Sequence, residues 1–150
     1  MSLHSYSKLW VHIVWSTLDR EPMLTPEAGT KCASWLHGYA PSKGIFLKAC
    51  HFNADHVHAL IDLPTGKSIE EVLQLFKGAS SHWINGHRLV QGRFAWGRGY
   101  GVFSVSESNL AGVVAYIGNQ EEHHRQQSFN EEFRRFVERH GLGWQDEQSR

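Results

Sequence analysis

Two runs of strand-forming residues, separated by only three residues, are the feature that most restricts the fold of this chain. Residues 45–52 and the run from His56 to Leu63 are rich in apolar and β-branched side chains, as strands are. Asn53-Ala54-Asp55 between them has the length and polarity of a hairpin turn. The two runs therefore predict a pair of antiparallel strands.

A strand and a helix are predicted before this hairpin. Residues 8–17 are rich in β-branched and aromatic side chains and predict a first strand. Thr25 can cap a helix with Pro26 at its first position. We expect this helix to run to about Ala40, where Pro41 should stop it.

A second helix and a last strand follow the hairpin. Ser68 and Glu71 form a capping box, and apolar residues recur after them at helical spacing to about Gly86. Val102 to Val105 predict the last strand. The order strand, helix, strand, strand, helix, strand predicts an α+β fold of the ferredoxin-like, RRM-like kind, also called split βαβ. Its four-stranded antiparallel sheet has both helices on one face, so we expect the other face to be open, as in folds that bind single-stranded nucleic acid.

Two more helices are expected after this core, which spans about residues 8–105. A helix over about 109–127 has apolar residues at positions 110, 113, 114 and 117, one stripe of a helical surface. A second capping box, Ser128 with Glu131, predicts a charged terminal helix over about 129–141. The whole chain, 1–150, is expected to form one domain.

His56 and His58 are the first candidate site residues. Side chains two positions apart on a strand leave the same face, so the two imidazoles should stand side by side. Imidazole is the commonest metal ligand among side chains, and two on one rigid strand form half of a coordination sphere.

Tyr116 and Gln120 add a second pair on the third helix. They are four residues apart and lie at the edge of its apolar stripe, from which a side chain can reach a neighbouring site. Two imidazoles and an amide oxygen with open positions suit Mg²⁺ or Mn²⁺ held together with a phosphate oxygen. A tyrosine hydroxyl beside such a metal could attack a phosphodiester.

The charge of the chain gives no global basic field. Lys plus Arg and Asp plus Glu number 15 each, so affinity for nucleic acid must come from local patches. Four cations lie among aromatic residues in and after the second helix and are candidate DNA contacts: Lys77, Arg88, Arg93 and Arg98.

The remaining sequence features favour a cytoplasmic protein. The two cysteines, Cys32 and Cys50, lack a metal-binding or disulfide spacing and are expected to be free thiols. The amino terminus has no signal-peptide pattern, and no apolar stretch approaches the ~20 residues of a membrane span.

Three segments together resemble a known family. They are the His56-Val57-His58 triplet after a hairpin, the Gly-Tyr-Gly-Val-Phe-Ser-Val run over 99–105, and the segment from Tyr116 to His124 with its Tyr-x-x-x-Gln spacing. In this order they are similar to the single-tyrosine transposases of the IS200/IS605 type, in the HUH nuclease superfamily. The resemblance covers nearly the whole chain.

The resemblance implies a role for each candidate residue. His56 and His58 match the metal ligands, Gln120 matches the third ligand, and Tyr116 matches the nucleophile. In that family the tyrosine forms a 5′-phosphotyrosine link to single-stranded DNA, next to imperfect hairpins at element ends. The resemblance also implies a homodimer in which the tyrosine helix of one protomer completes the histidine site of the other.

Two other functions fit the same residues. One is a catalytically idle single-strand nucleic-acid-binding regulator with the same fold, although the presence of all four catalytic residue types argues against it. The other is a zinc hydrolase that uses His56, His58 and His123 with a bound water, for which Tyr116 would be dispensable.

Overall fold

The sheet and helices follow the predicted order closely. The structure is a computed structural model that describes residues 5–121, 124 and 127–145. The elements of the core are β1 Trp10–Ser16, α1 Pro26–Ser42, β2 Phe46–Phe52, β3 His56–Asp62, α2 Ile69–Gly86 and β4 Gly101–Ser104. Two helices follow, α3 Leu110–Gly118 and α4 Phe129–Arg139.

The four strands form one antiparallel sheet in the order β2-β3-β1-β4. This order confirms the predicted ferredoxin-like α+β fold. The two central strands, β1 and β3, pair so that Val14 lies opposite His58 and Ser16 lies opposite His56. The histidine pair therefore lies on a central strand, which is paired with a neighbouring strand on each side.

The first face of the sheet builds the main hydrophobic core. Ile13 and Trp15 of β1 and Val57 of β3 point into it and are almost fully buried. Leu36 of α1 and Phe76 of α2 cover them from above. Both predicted helices of the split βαβ motif thus lie on this face.

The second face of the sheet is covered, contrary to the expectation that it would be open. Trp10 of β1 and Leu60 of β3 pack against Ile117 of α3. Phe103 of β4 packs in a cluster with Phe129 of α4. The expectation was wrong because this face carries large apolar side chains, whose burial stabilises the docked helices.

The helix ends differ from the predicted ones at two places. Helix α1 includes Pro41 and Ser42, two residues beyond the predicted end, and the carbonyls of Ala40 and Pro41 accept hydrogen bonds of 3.0 Å from the backbone of Lys43 and Gly44. The tyrosine-bearing helix, expected over about 109–127, ends instead at Gly118 and turns at residue 119, and residues 120, 121 and 124 are helical again.

The other helix predictions agree with the structure to within two residues. Both predicted capping boxes are present, at Ser68 with Glu71 and at Ser128 with Glu131. Within the described part of the chain, no helix is long and apolar enough to cross a membrane.

Helix α1 approaches the sheet most closely at Gly29 among its glycines, and substitution there tests this approach. A Cβ at this position would lie 2.5 Å from the carbonyl oxygen of Phe52, whereas a Cβ at Gly38 on the same helix would meet no atom within 4 Å. We expect Gly29→Ala to lower the free energy of unfolding by about 1–3 kcal/mol through overpacking. Gly38→Ala should raise it by up to about 1 kcal/mol because alanine favours helix. Urea denaturation of both variants measures the difference, and equal effects would contradict the close approach.

Candidate active site

The pairing of β1 with β3 places three histidines on the second face of the sheet. His12, His56 and His58 are all buried there. His12 Nε2 lies 2.7 Å from His58 Nδ1, and the two rings are stacked. This contact fixes the orientation of His58 and turns its Nε2 away from the sheet.

His56 is oriented by contacts on two sides. Its Nδ1 lies 2.7 Å from Asp55 Oδ1, so Nδ1 donates a hydrogen bond to the carboxylate. The ring of Phe129, from α4, stacks on the imidazole with 4.1 Å between ring centroids. Nε2 of His56 therefore points into the space between β3 and α4.

Glu132 of α4 fills that space. Its side chain is only 1% exposed. Its Oε1 lies 2.9 Å from His58 Nε2, 3.3 Å from His56 Nε2 and 3.3 Å from His124 Nε2. One carboxylate oxygen thus faces three imidazoles.

Sequence reasoning missed Glu132, although a signal for it exists. Phe129 and Phe136 lie three residues before and four residues after it, which places all three on one helical face. A carboxylate on the apolar face of a helix is unusual unless it has buried partners. The pattern indicates a buried acid but does not identify its partners.

The two residues predicted on the third helix meet the same carboxylate. The hydroxyl of Tyr116 donates a short hydrogen bond to Glu132 Oε2, and its ring lies 6.0 Å from that of His58. Gln120 is fully buried; its Nε2 lies 3.4 Å from Glu132 Oε2, and its Oε1 accepts a hydrogen bond from Asn53. The structure therefore brings His56, His58, Tyr116 and Gln120 together around Glu132.

His124 joins the cluster from the segment after α3. Its Nε2 lies 3.1 Å from Gln120 Oε1, and its Nδ1 lies 3.1 Å from the carbonyl of Gln127. The zinc-hydrolase alternative uses the neighbouring residue, His123, instead. His123 lies outside the described residues.

Burial and hydrogen bonding shift the pKa values of the cluster. Burial lowers the pKa of His58 to about 4, against the opposing effect of Glu132. Burial also lowers that of His56, but the hydrogen bonds to Asp55 and Glu132 outweigh it and raise its pKa above the usual value. His58 is therefore a neutral imidazole at neutral pH.

The pKa values of the Glu132 carboxylate and the Tyr116 hydroxyl are shifted in opposite directions. Burial would raise the pKa of Glu132, but hydrogen bonds with His124, His56 and His58 outweigh it and hold the pKa far below the usual range. Burial and the hydrogen bond to Glu132 raise the pKa of the Tyr116 hydroxyl. The tyrosine is thus protonated, and its hydroxyl is held by a hydrogen bond to the carboxylate.

The donors of the cluster fit a divalent metal ion. One ligand atom from each of His56, His58, His124 and Glu132 lies within 4.8 Å of the others. Imidazole nitrogen and carboxylate oxygen are the ligands that zinc, manganese and related dications take in proteins. The described residues therefore include a His/Glu group that can hold such an ion.

The four predicted DNA-contacting cations lie elsewhere. Lys77 donates a hydrogen bond of 2.8 Å to the carbonyl of Gly97, so it holds the glycine-rich segment, residues 97–101, against α2. Lys77 and Arg98 line a cavity of about 470 Å³ between that segment and α2, on the first face of the sheet. Arg88 and Arg93 are exposed in the loop after α2. Their role in DNA binding stays a prediction.

Two other cations lie next to the nucleophile candidate. Arg135 and Arg139 of α4 line a cavity of about 150 Å³ together with Tyr116 and Glu132. Sequence reasoning missed both, because the terminal helix looked like a solvated charged helix. Their guanidinium groups give this side of the cluster the positive charge that a phosphate requires.

Fold and site together define the class of protein. A ferredoxin-like sheet with a His-x-His pair on a central strand, facing a tyrosine from a following helix, is the arrangement of the single-tyrosine transposases. The family described as transposase IS200 like matches residues 5–120, and the chain belongs to this family. No curated protein matches the chain.

Solved structures support the same fold. A provisionally assigned transposase from Deinococcus radiodurans R1 is 28% identical, with a TM-score of 0.59 over 80% of this chain and 96% of that one. A REP-associated tyrosine transposase bound to a REP hairpin is 16% identical, with a TM-score of 0.54 over 83% of this chain and 74% of that one. The latter likeness shows the fold alone.

The lowered pKa of His58 predicts acid sensitivity of the metal-free protein. The imidazole titrates near 6.5 in the unfolded chain and near 4 in the folded one, so between these values only the unfolded chain binds the proton. This group should therefore remove up to about 3 kcal/mol of stability as the pH falls from 6.5 to 4. Urea denaturation in chelator should show a smaller loss for His58→Gln than for wild type. Equal losses of unfolding free energy in the two proteins would contradict the lowered pKa of His58.

Proposed function

We propose that this transposase nicks and rejoins single-stranded DNA at hairpin-marked element ends, with Tyr116 as the nucleophile and a divalent metal, Mg²⁺ or Mn²⁺, as cofactor. The observation that carries the proposal is the convergence of Tyr116 with His56 and His58 around one buried carboxylate. A structural tyrosine would not need ligand-type imidazoles around its hydroxyl. Gln120, in the same cluster, is the predicted third ligand.

The proposed reaction is a transesterification. The Tyr116 oxygen forms a bond to phosphorus and the bond from phosphorus to the 3′ oxygen breaks, which leaves a 5′-phosphotyrosine and a free 3′-hydroxyl. Glu132 Oε2 accepts the hydrogen bond of the Tyr116 hydroxyl and so orients its oxygen. The proton that Tyr116 loses as its oxygen attacks is balanced by the proton that the leaving 3′ oxygen takes up. When bound, the metal neutralises charge that develops on the phosphate oxygens.

Rejoining is the reverse of the same step. A 3′-hydroxyl of another strand attacks the phosphotyrosine, and the tyrosine oxygen leaves and recovers its proton. Because the ester keeps the energy of the phosphodiester, the exchange of strands needs no nucleotide cofactor.

The proposed DNA partner is a hairpin-bearing single strand. The REP hairpin bound to the structural neighbour supports this partner. Arg135 and Arg139, beside Tyr116, are suited to bind the phosphate that is attacked. The homodimer with shared sites stays a prediction. Within this single chain, Tyr116 contacts Glu132, which in turn contacts His58 of the same chain.

Replacement of the tyrosine tests the nucleophile. Labelled hairpin-bearing single strands, incubated with wild-type protein and Mn²⁺, should give a covalent complex that survives boiling in detergent. Tyr116→Phe should give none, because the attacking oxygen is missing, whereas Tyr100→Phe, at an exposed tyrosine, should behave like wild type.

A native gel run beside this denaturing assay separates the alternatives. A binding regulator would shift the DNA in a native gel and form no covalent complex with wild type. A zinc hydrolase would cut the strand in Tyr116→Phe as fast as in wild type. Either result would remove Tyr116 from the mechanism.

Charge removal beside the tyrosine tests the phosphate contact. We expect Arg139→Ala to slow formation of the covalent complex by about tenfold or more, since a charge-assisted hydrogen bond to phosphate contributes about 1.5–3 kcal/mol. Arg134→Ala removes the same charge from the exposed side of α4, where Arg134 pairs with Glu138, and should change the rate little. Equal rates for the two variants would show that Arg139 does not contact the phosphate.

A further inference from the structure

We propose that Glu132 and His124 are metal ligands that complete the site begun by His56 and His58, and that this site prefers a transition-metal dication such as Mn²⁺ to Mg²⁺. The inference deepens the proposed function and rests on it for the use of the metal. The contacts that support the ligand assignment all lie within the cluster.

The spacing of the donor atoms is the first argument. The contacts of Glu132 Oε1 with the Nε2 atoms of His56, His58 and His124 are 2.9–3.3 Å long. Ligand atoms at about 2.1 Å from one metal lie roughly 3.0–3.4 Å apart in octahedral or tetrahedral sites. Glu132 Oε1 therefore already has the spacing of a shared ligand to each imidazole nitrogen, and the four atoms all lie within 4.8 Å of one another.

The nitrogen of each imidazole that faces away from Glu132, Nδ1, has a polar partner of its own. Metal-binding histidines almost always hold that nitrogen in a hydrogen bond, which fixes the ring and its tautomer. Here His56 Nδ1 contacts Asp55, His58 Nδ1 contacts His12, and His124 Nδ1 contacts the carbonyl of Gln127. All three rings are therefore held so that Nε2 points at the carboxylate.

The third argument is charge. Glu132 is a carboxylate that is 1% exposed, and the ion-pair partners that the described residues give it are imidazoles, which carry charge only when protonated. A buried carboxylate is stabilised by opposite charge in direct contact with it, and a divalent ion supplies more of that charge than a hydrogen-bonded imidazole does. A dication among these ligands would supply that charge between the imidazole nitrogens and Glu132 Oε1.

The choice of metal follows from the donors. Mg²⁺ prefers oxygen ligands and keeps several waters, whereas imidazole suits transition metals. Three imidazoles and one carboxylate therefore favour Mn²⁺ over Mg²⁺. Gln120 Oε1, 3.1 Å from His124 Nε2, borders the same site and adds one oxygen.

Calorimetric titration of the full chain, stripped of metal by chelation, tests the proposal with Mn²⁺ and Mg²⁺ as probes. The wild-type dissociation constant for Mn²⁺ should be at least tenfold lower than that for Mg²⁺. Glu132→Gln and His124→Gln should each raise the Mn²⁺ constant tenfold or more. Glu138→Gln is the matched control, an exposed carboxylate on the same helix, and should leave it unchanged.

The loss of free Mn²⁺ signal in electron paramagnetic resonance gives a second readout of the same affinities. His124 is partly exposed, so His124→Gln is a test even where Glu132→Gln perturbs folding. Unchanged Mn²⁺ affinity in folded Glu132→Gln or His124→Gln would overturn the assignment of that residue. If Glu132→Gln kept the Mn²⁺ affinity of wild type and formed the covalent complex faster, Glu132 would be a residue that blocks the site and not a ligand.

The covalent-complex assay keeps the two proposals apart. Weakened Mn²⁺ binding in both variants supports the ligand assignment even if wild type never attaches to DNA, which would refute only the proposed function. A wild-type covalent complex together with unchanged Mn²⁺ affinity in the variants would refute only the ligand assignment.

Discussion

The buried carboxylate of Glu132 is the interaction on which the arrangement of this site depends. It anchors α4 on the second face of the sheet, because its two oxygens contact imidazoles from β3 on one side and the hydroxyl of Tyr116 on the other. Removal of the imidazoles would leave this buried carboxylate with hydrogen bonds but no ion-pair partner among the described residues, a change that costs several kcal/mol at buried pairs. Apolar packing of Phe129 and Phe136 adds to this anchor, and the ring of Phe129 also orients His56.

This geometry explains how a small domain can prepare a poor nucleophile. A tyrosine hydroxyl is protonated at neutral pH, and burial raises its pKa further. The cluster places a hydrogen-bond acceptor, a group of metal ligands and two arginines around that hydroxyl before any substrate arrives. Such preorganisation is a large part of how proteins lower barriers for charged transition states.

The sequence predicts the sheet, its helices and four members of the cluster because these rest on local patterns. Strand pairing at Asn53-Ala54-Asp55, the capping boxes at Ser68 and Ser128 and the face shared by His56 and His58 are all set by neighbours a few residues apart. Glu132 was not predicted because its partners lie on β3, 74 residues earlier for His58. Covering of the second face was missed for the same reason, since it depends on how α3 and α4 dock.

The central claim is that Tyr116 becomes the covalent attachment point of DNA. Its most direct test is tandem mass spectrometry of the protein after reaction with a hairpin-bearing single strand, nuclease trimming and trypsin digestion. The tryptic peptide over 99–125 contains both Tyr100 and Tyr116. The account predicts a residual nucleotide phosphate on Tyr116. Attachment at Tyr100 or at any other residue, or unmodified peptide from a reaction in which the DNA has been cut, would contradict it.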